Sequence, residues 1–385
     1  MSKDEMLSEL FAAVQLKHSL DFVQVHGLDK RQRTVATSRE KDYLRKADLF
    51  FGKQMDVDLR EVVSRYIFLY GIFESELTAF YVRSLKPGDT FFDVGAHYGY
   101  FSLLALNGVG EKGRVIAFEP SGYAGEMLKK NLGRSENATI VQAAVWHEPG
   151  TLVLNDFGPS RSAFNSFAGI RDDPNIKGEP FKAKAITLDQ YVKETGIIPD
   201  FVKIDVESAE MHVLNGMKEV IRNHAPVISM ELGDFAHLIQ AGIERSFDLL
   251  IGLQNAGLRL FWPTMSGLTE CKPEKDKAYP YSNVIAVPEL RADDYAPFVH
   301  PESVQETIGT IGAFERDDFR VLRGVVRYLK RATTRYFTTN EMTIEEFVDM
   351  VDALDNAEVA EILARYDYSG RKQKPVEKQK PKLVQ

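Results

Sequence analysis

The chain has 385 residues, of which 44% are hydrophobic and 27% charged, and its formal net charge is -8. That length accommodates one large domain with appendages or two modest ones, and the composition is that of a chain able to bury a full core. The acidic balance excludes a nucleic-acid binder working by global attraction, and the single cysteine, Cys271, excludes an intrachain disulfide framework or a cysteine-based zinc site. The opening Met-Ser-Lys-Asp-Glu-Met lacks the basic start and apolar stretch of a secretory signal. No uninterrupted apolar run reaches membrane-spanning length. The expectation is a cytoplasmic protein with neither a membrane nor a nucleic-acid partner.

Leu7, Leu10, Phe11 and Val14 recur at helical spacing, which predicts an amphipathic helix over the first two dozen residues. The polar stretch Asp29 to Lys46 reads as a loop running into a helix. Leu59, Val62, Val63, Tyr66, Ile67 and Tyr70 mark a second helix and Leu77, Phe80 and Tyr81 a third, with Gly71 between them. Residues 1–76 are therefore expected to form a helical segment that covers one edge of the core or mediates dimerisation. The alternative is a lid that brings Glu74 near a cofactor.

From residue 77 to 290 the pattern is that of an α/β domain. Thr90 to Val94 is a short β-branched and aromatic run. Gly95 and Gly99 follow it, and Tyr100 to Leu106 then turns apolar at helical spacing. Arg114 to Phe118, Ala138 to Val145, Asp200 to Val206 and Pro226 to Leu232 supply further strands. Helices are expected over Ala124 to Leu132, Glu207 to Val220 and Phe247 to Ala256, and Leu258 to Trp262 with Asn283 to Val287 would make a late antiparallel edge pair. Strand and helix alternate as in a parallel sheet with crossover helices. The rhythm breaks at Gly150 to Lys184, where two strands flank a Ser/Asn/Gly/Pro-rich loop from Asp156 to Gly178, expected to be a substrate-side flap. The fold class read from this is a doubly wound, mostly parallel seven-stranded Rossmann-like sheet with helical extensions at both ends.

Beyond the core, residues 291–370 read as helical. A basic amphipathic segment spans Phe314 to Arg335, and a capping box at Thr343 to Glu346 opens an acidic helix running toward Tyr366. Their opposite charges suit packing on each other or on a second subunit. Residues 371–385 are Lys/Gln/Pro-rich and read as a disordered tail.

A strand, a glycine turn and a helix form the binding corner of doubly wound domains, where glycine allows close backbone approach and the helix N-terminus favours an anionic group. Asp93 ends the first strand, and Glu119, followed by Pro120, ends the second, where an acid typically holds adenosine ribose hydroxyls. A dinucleotide and S-adenosylmethionine both satisfy this pattern. Asp205, Glu207 and Glu231 fall at the carboxyl ends of later strands, and such a carboxylate cluster suits a sulfonium cation better than a nicotinamide.

Five segments then agree in order: Asp93 to Ser102, Ala117 to Pro120, Thr187 to Asp189, Lys203 to Glu210 and Val213 to Gly216. Together with Gly71 to Glu74 they resemble the FkbM-type S-adenosylmethionine-dependent methyltransferases from Gly71 to about Leu232. His97 stands where that family usually has Asn, and Ser208 where it usually has Gly. The resemblance implies a methyl transfer, with S-adenosylmethionine as cofactor and a hydroxyl of a sugar or complex natural product, a small molecule or glycan, as acceptor. It also implies that Gly95, Ala96 and Gly99 pass the backbone around the methionine moiety. Glu119 would hold the ribose, and Gln142 and Ala143 would lie by the adenine. Glu74, Asp93, Pro120 and Asp205 complete the residues expected on the cofactor side.

An alcohol acceptor needs a base within reach. Asp205 ranks first, Glu207 second, and His147 and His212 are further candidates. Each has a structural alternative: Asp205 as a holder of the methionine amino group, Glu207 and Glu210 as acids at a helix start, Lys203 as a counter-ion. The reading takes no metal, a divalent cation on Asp205, Glu207 and Glu231 being the alternative. A catalytically silent cofactor-binding scaffold and an NAD-dependent oxidoreductase are the competing functions.

Overall fold

The computed structural model describes residues 1–19, 43–167, 176–240, 242–279 and 281–299. The chain divides into two units, one of 1–10 with 35–307 and the other of 11–34 with 308–385. The described residues belong almost wholly to the first. The loop expected over 29–42, the helices and tail expected after residue 300 and the flap residues 168–175 lie outside them.

The first element is the helix α1 (Lys3–Ser19), whose Met6 and Leu10 are buried. The stretch expected to run into a helix forms a strand instead: β1 (Leu44–Asp48) pairs antiparallel with β2 (Gln54–Asp58). The N-terminal segment is thus not helical throughout. Leu-Arg-Lys-Ala-Asp has little intrinsic strand preference, and the hairpin is held by neighbours instead. Asn131 accepts from Asp56 N at 2.7 Å and donates back to Asp56 O at 3.0 Å. Then come α2 (Val62–Tyr70) and α3 (Ser75–Ser84).

The main sheet opens with β3 (Thr90–Val94), which is followed by α4 (Tyr100–Val109), β4 (Arg114–Phe118), α5 (Gly122–Leu132) and β5 (Ala138–Val141). The run expected as one strand over Ala138 to Val145 breaks at Gln142-Ala143. Its end, β6 (Ala144–Val145), joins a separate three-stranded sheet with β7 (Gly150–Asp156) and β8 (Glu179–Ile186), ordered β6-β8-β7. Between β7 and β8 the insertion carries a 3₁₀ segment, Pro159–Phe164. The chain returns through α6 (Leu188–Thr195), β9 (Phe201–Ile204), α7 (Glu210–Asn215), α8 (Lys218–His224), β10 (Val227–Leu232), α9 (Ala236–Gln240) and α10 (Ser246–Asn255). It ends with β11 (Leu258–Pro263), β12 (Leu268–Glu270) and β13 (Ser282–Pro288).

The main sheet has eight strands, one more than expected, in the order β12-β11-β13-β10-β9-β3-β4-β5. The extra strand, β12, has only three residues, too few to show a period. The β10-β9-β3-β4-β5 half is parallel and the rest antiparallel. The expected late pair does lie side by side and antiparallel, β11 against β13, with β13 also against β10 and the short β12 at the edge.

Both faces of the sheet are covered, as the doubly wound class requires. On one face Phe92, Val94, Ile116, Phe118, Val202 and Ile204 pack in one core with Leu188 and Val192 of α6 and Leu249 and Leu253 of α10. On the other, the Tyr81 ring of α3 lies 5.0 Å from Phe91 and 5.9 Å from Phe101, and the Tyr81 hydroxyl pairs with Ser229. No described helix is long and apolar enough to cross a membrane.

Phe92 is fully buried, with its ring 5.6 Å from Phe118 and 5.8 Å from Tyr191. Phe92→Ala should therefore cost about 3–5 kcal/mol, read as a lower urea midpoint at unchanged slope.

Candidate active site

The first half of the sheet is built outward from β3 to β5, and the chain then crosses back to place β9 beside β3. Ligands bind open α/β sheets at such a switch point. Here the contact between the two halves is direct. Gly95 has φ +81°, and a Cβ on it would stand 1.7 Å from the carbonyl oxygen of Asp205, so the ends of β3 and β9 meet only with glycine at this position. Gly95 N and Ala96 N both donate to Phe118 O at 3.0 Å, which ties the turn to β4 as well. Gly99, at φ +93°, starts α4 with the Leu128 side chain 2.7 Å from the place a Cβ would take.

Glu119 braces this turn. Its Oε2 accepts from His97 N at 2.9 Å, while Oε1 accepts from Ser121 N at 2.9 Å and Ser121 Oγ at 2.7 Å. Burial pushes its carboxyl pKa up, against the pull of the Ser121 and His97 bonds. Pro120 and Ser121 lead into α5. Gln142 is exposed and Ala143 buried at the break after β5, and Val141 O accepts from both Glu119 N and Ala143 N. The expected ribose and adenine residues therefore stand at the ends of two neighbouring parallel strands, β4 and β5.

On the other side of the turn lies a buried charge cluster. Lys203 is 3% exposed. Its Nζ stands 3.0 Å from Asp205 Oδ2, 3.9 Å from Asp93 Oδ1 and 5.0 Å from the centre of the Phe101 ring. Asp93 is itself buried, and its Oδ2 accepts from Ser102 Oγ at 2.6 Å. These contacts give Lys203 the counter-ion role and raise its pKa through Asp205 and Asp93 against the effect of burial.

Glu74 reaches the same cluster from the start of α3. Asn283 Nδ2 of β13 donates to its Oε1 at 2.9 Å, and Asn283 stands opposite Glu231 across β10 and β13. Glu74 Oε2 is buried with no hydrogen-bond partner among the described residues. Burial, then the charge of Asp205, pushes the Glu74 carboxyl up to about 7. Asp205, Glu207 and Glu231 each offer an oxygen within 4.8 Å of the others, so one place gathers four acids from α3, β10 and the loop after β9. The set has the hard-oxygen chemistry that a divalent cation would require.

The turns that carry these acids share a backbone feature. Glu74 (φ +41°), His97 (φ +51°), Glu207 (φ +51°) and Ser208 (φ +80°) are four of the six non-glycine residues with positive φ among the described residues. Glu210, at the start of α7, accepts from Ser208 N at 3.2 Å and so holds that loop. His147 and His212 come together with each other: their Nδ1 atoms are 2.8 Å apart, and His212 stacks on Trp146 at 3.7 Å. Burial, then the neighbouring His147, lowers the His212 pKa.

Sequence reasoning missed Asn283, Ser121 and Ser162. Ser121 had a local signal, a capping residue type two positions after the strand-end acid. Asn283 is separated from Glu74 by more than half the chain and had none.

Because the native Glu74 carboxyl titrates near 7 against an ordinary 4.5, the folded state binds more protons than the unfolded between those values. This contribution to stability is present at low pH and is lost as pH rises through about 7. Glu74→Gln should then flatten the fall in melting temperature between roughly pH 5 and pH 8, measured by calorimetry beside wild type.

Residues 93–260 match the methyltransferase FkbM domain. The chain is 31% identical over 162 residues to the 31-O-demethyl-FK506 methyltransferase FkbM of Streptomyces tacrolimicus, covering 35% of this chain and 62% of that protein. It is 26% identical over 153 residues to the hexuronic acid methyltransferase AglP of Haloferax volcanii, covering 39% of this chain and 59% of that one. The chain thus spans about three-fifths of the length of each of these two relatives. Among solved structures it is similar to a methyltransferase FkbM from Methylobacillus flagellatus, at 16% identity, 54% and 47% coverage and a TM-score of 0.36. The region built around the glycine turn, residues 93–260, is the part of the chain that matches the methyltransferase FkbM domain.

Proposed function

We propose that the chain is an S-adenosylmethionine-dependent methyltransferase acting on a hydroxyl of a sugar or complex natural product. The observation that carries this is the surplus of carboxylate at the switch point. Glu74, Asp93, Asp205, Glu207 and Glu231 gather there, with Lys203 as the ammonium among them. Glu74 Oε2 is left buried without a hydrogen-bond partner among the described residues. A ligand bearing an ammonium and a sulfonium supplies the positive charge and the donor such a place needs. The FkbM domain match and the two relatives, one an O-demethyl-FK506 methyltransferase and one a hexuronic acid methyltransferase, support the acceptor class.

S-adenosylmethionine brings the activated methyl group. The protein's own residues do the rest. Gly95, Ala96 and Gly99 let the backbone approach the methionine end, Glu119 accepts from the ribose, and Gln142 and Ala143 flank the adenine. The acids hold the cationic portion. Positioning accounts for much of the acceleration of a displacement at an activated carbon. The acceptor hydroxyl loses its proton to a carboxylate, Asp205 in the first place and Glu207 in the second.

Isothermal titration tests the cofactor. S-adenosylhomocysteine should bind in the micromolar range and NAD should not, and a wild-type protein that binds no S-adenosylhomocysteine sinks the reading. Glu119→Ala should weaken binding by about 10- to 100-fold, the worth of a hydrogen bond to a charged group. Ser121→Ala, which leaves the carboxylate in place, should weaken it far less. A labelled-methyl screen over glycans and small alcohols then identifies the acceptor.

A further inference from the structure

The insertion between β7 and β8 meets the glycine turn at His97 and Tyr98, both through Ser162. The 3₁₀ segment Pro159–Phe164 is held from both sides: Gly158 N donates to Asp156 Oδ1 at 2.8 Å, Phe157 N to Asn165 Oδ1 at 2.9 Å and Asn155 N to Ser166 O at 2.8 Å. That bracing fixes Ser162, which is 4% exposed. Ser162 Oγ donates to Tyr98 Oη at 3.1 Å and lies 2.9 Å from His97 Nε2. A hydroxyl has one proton, so with that proton on Tyr98 the His97 ring donates through Nε2–H. The ring also lies flat on Tyr98, 3.9 Å away and 11° from parallel.

His97 is thus tied in two directions. Its backbone N–H is bonded to Glu119, the acid assigned to the ribose, and its imidazole is bonded to the insertion. The fold of the turn does not demand an imidazole. Asparagine, the usual residue of the resembling family, adopts the left-handed backbone of position 97 more easily than histidine. Its side chain ends one bond nearer the backbone than Nε2 and has no ring to lay on Tyr98.

We propose that His97 is a positioning residue that latches segment 159–164 of the insertion to the cofactor turn, so that occupancy at Glu119 sets the insertion on the acceptor side. The proposal rests on the cofactor reading above. The latch is the His97–Ser162 bond: removing His97 takes it alone, removing Ser162 takes it together with the Tyr98 bond, and a bound ribose that steadies Glu119 steadies His97 and Ser162 with it.

Hydrogen exchange on the full chain tests this at the amides of 159–164. His97→Asn should speed exchange by about fivefold, the effect of one net hydrogen bond, Ser162→Ala, which also loses the Tyr98 bond, by at least as much, and the double variant should be no faster than Ser162→Ala alone. Ser162→Thr, which keeps a hydroxyl, should restore the wild-type rate. Saturating S-adenosylhomocysteine should slow exchange of these amides in wild type but not in Ser162→Ala. Additive effects in the double variant, or unchanged exchange in both single variants, overturn the latch. Equal slowing by the ligand in wild type and Ser162→Ala overturns the coupling. A wild type that binds no S-adenosylhomocysteine defeats the cofactor reading and the coupling built on it, while the double-variant comparison still decides the latch.

Discussion

A single buried ammonium, that of Lys203, stands among the acids of the switch point. Burying an unpaired charge is costly, and burying carboxylates beside one another is worse. Lys203 lies between Asp93, the penultimate residue of β3, and Asp205, which follows β9. It therefore joins the two halves of the sheet electrostatically at the place where Gly95 and Asp205 join them sterically. The pairing leaves the cluster short of positive charge, and burial, then the charge of Asp205, pushes the Glu74 carboxyl up to about 7.

The backbone around that cluster is strained in a regular way. Glu74, His97, Glu207 and Ser208 all lie at positive φ, a region that asparagine and glycine enter most readily. The two departures from the resembling family, His97 for Asn and Ser208 for Gly, fall at two of these four positions. In each the left-handed conformation is retained although the residue is less suited to it, which shows that the surrounding contacts fix the backbone. Glu119 does this for His97, and Glu210 does it for Ser208.

Much of the core was legible because its strands are short β-branched runs bounded by Gly, Pro and Asp. Thr90–Val94 and Arg114–Phe118 end where the sequence pattern ends. The glycine corner and the strand-end acids were legible for the same reason, since loop chemistry follows the strand directly. The β1–β2 hairpin was not. Its residues are charged and alternate poorly, and it exists because Asn131 and α2 receive it. Nor was the break at Gln142-Ala143, where one apolar run serves two sheets. The contacts of Glu74 with Asn283 and of His97 with Ser162 join distant parts of the chain, and no local period or propensity encodes them.

The place of β13 has a consequence for the order of assembly. The strand lies between β10 and β11, yet it follows both in the chain. Until residues 282–288 are made, β10, buried along its whole length in the finished sheet, has an open edge, and β11 and β12 lack the strand that joins them to the sheet. The junction between β10 and β11 thus waits for a late, long-range pairing, which is slow to find and leaves an edge exposed meanwhile. As the chain leaves the ribosome, the parallel half that carries the glycine turn can form first, and Asn283 reaches Glu74 only when the last strand closes the gap.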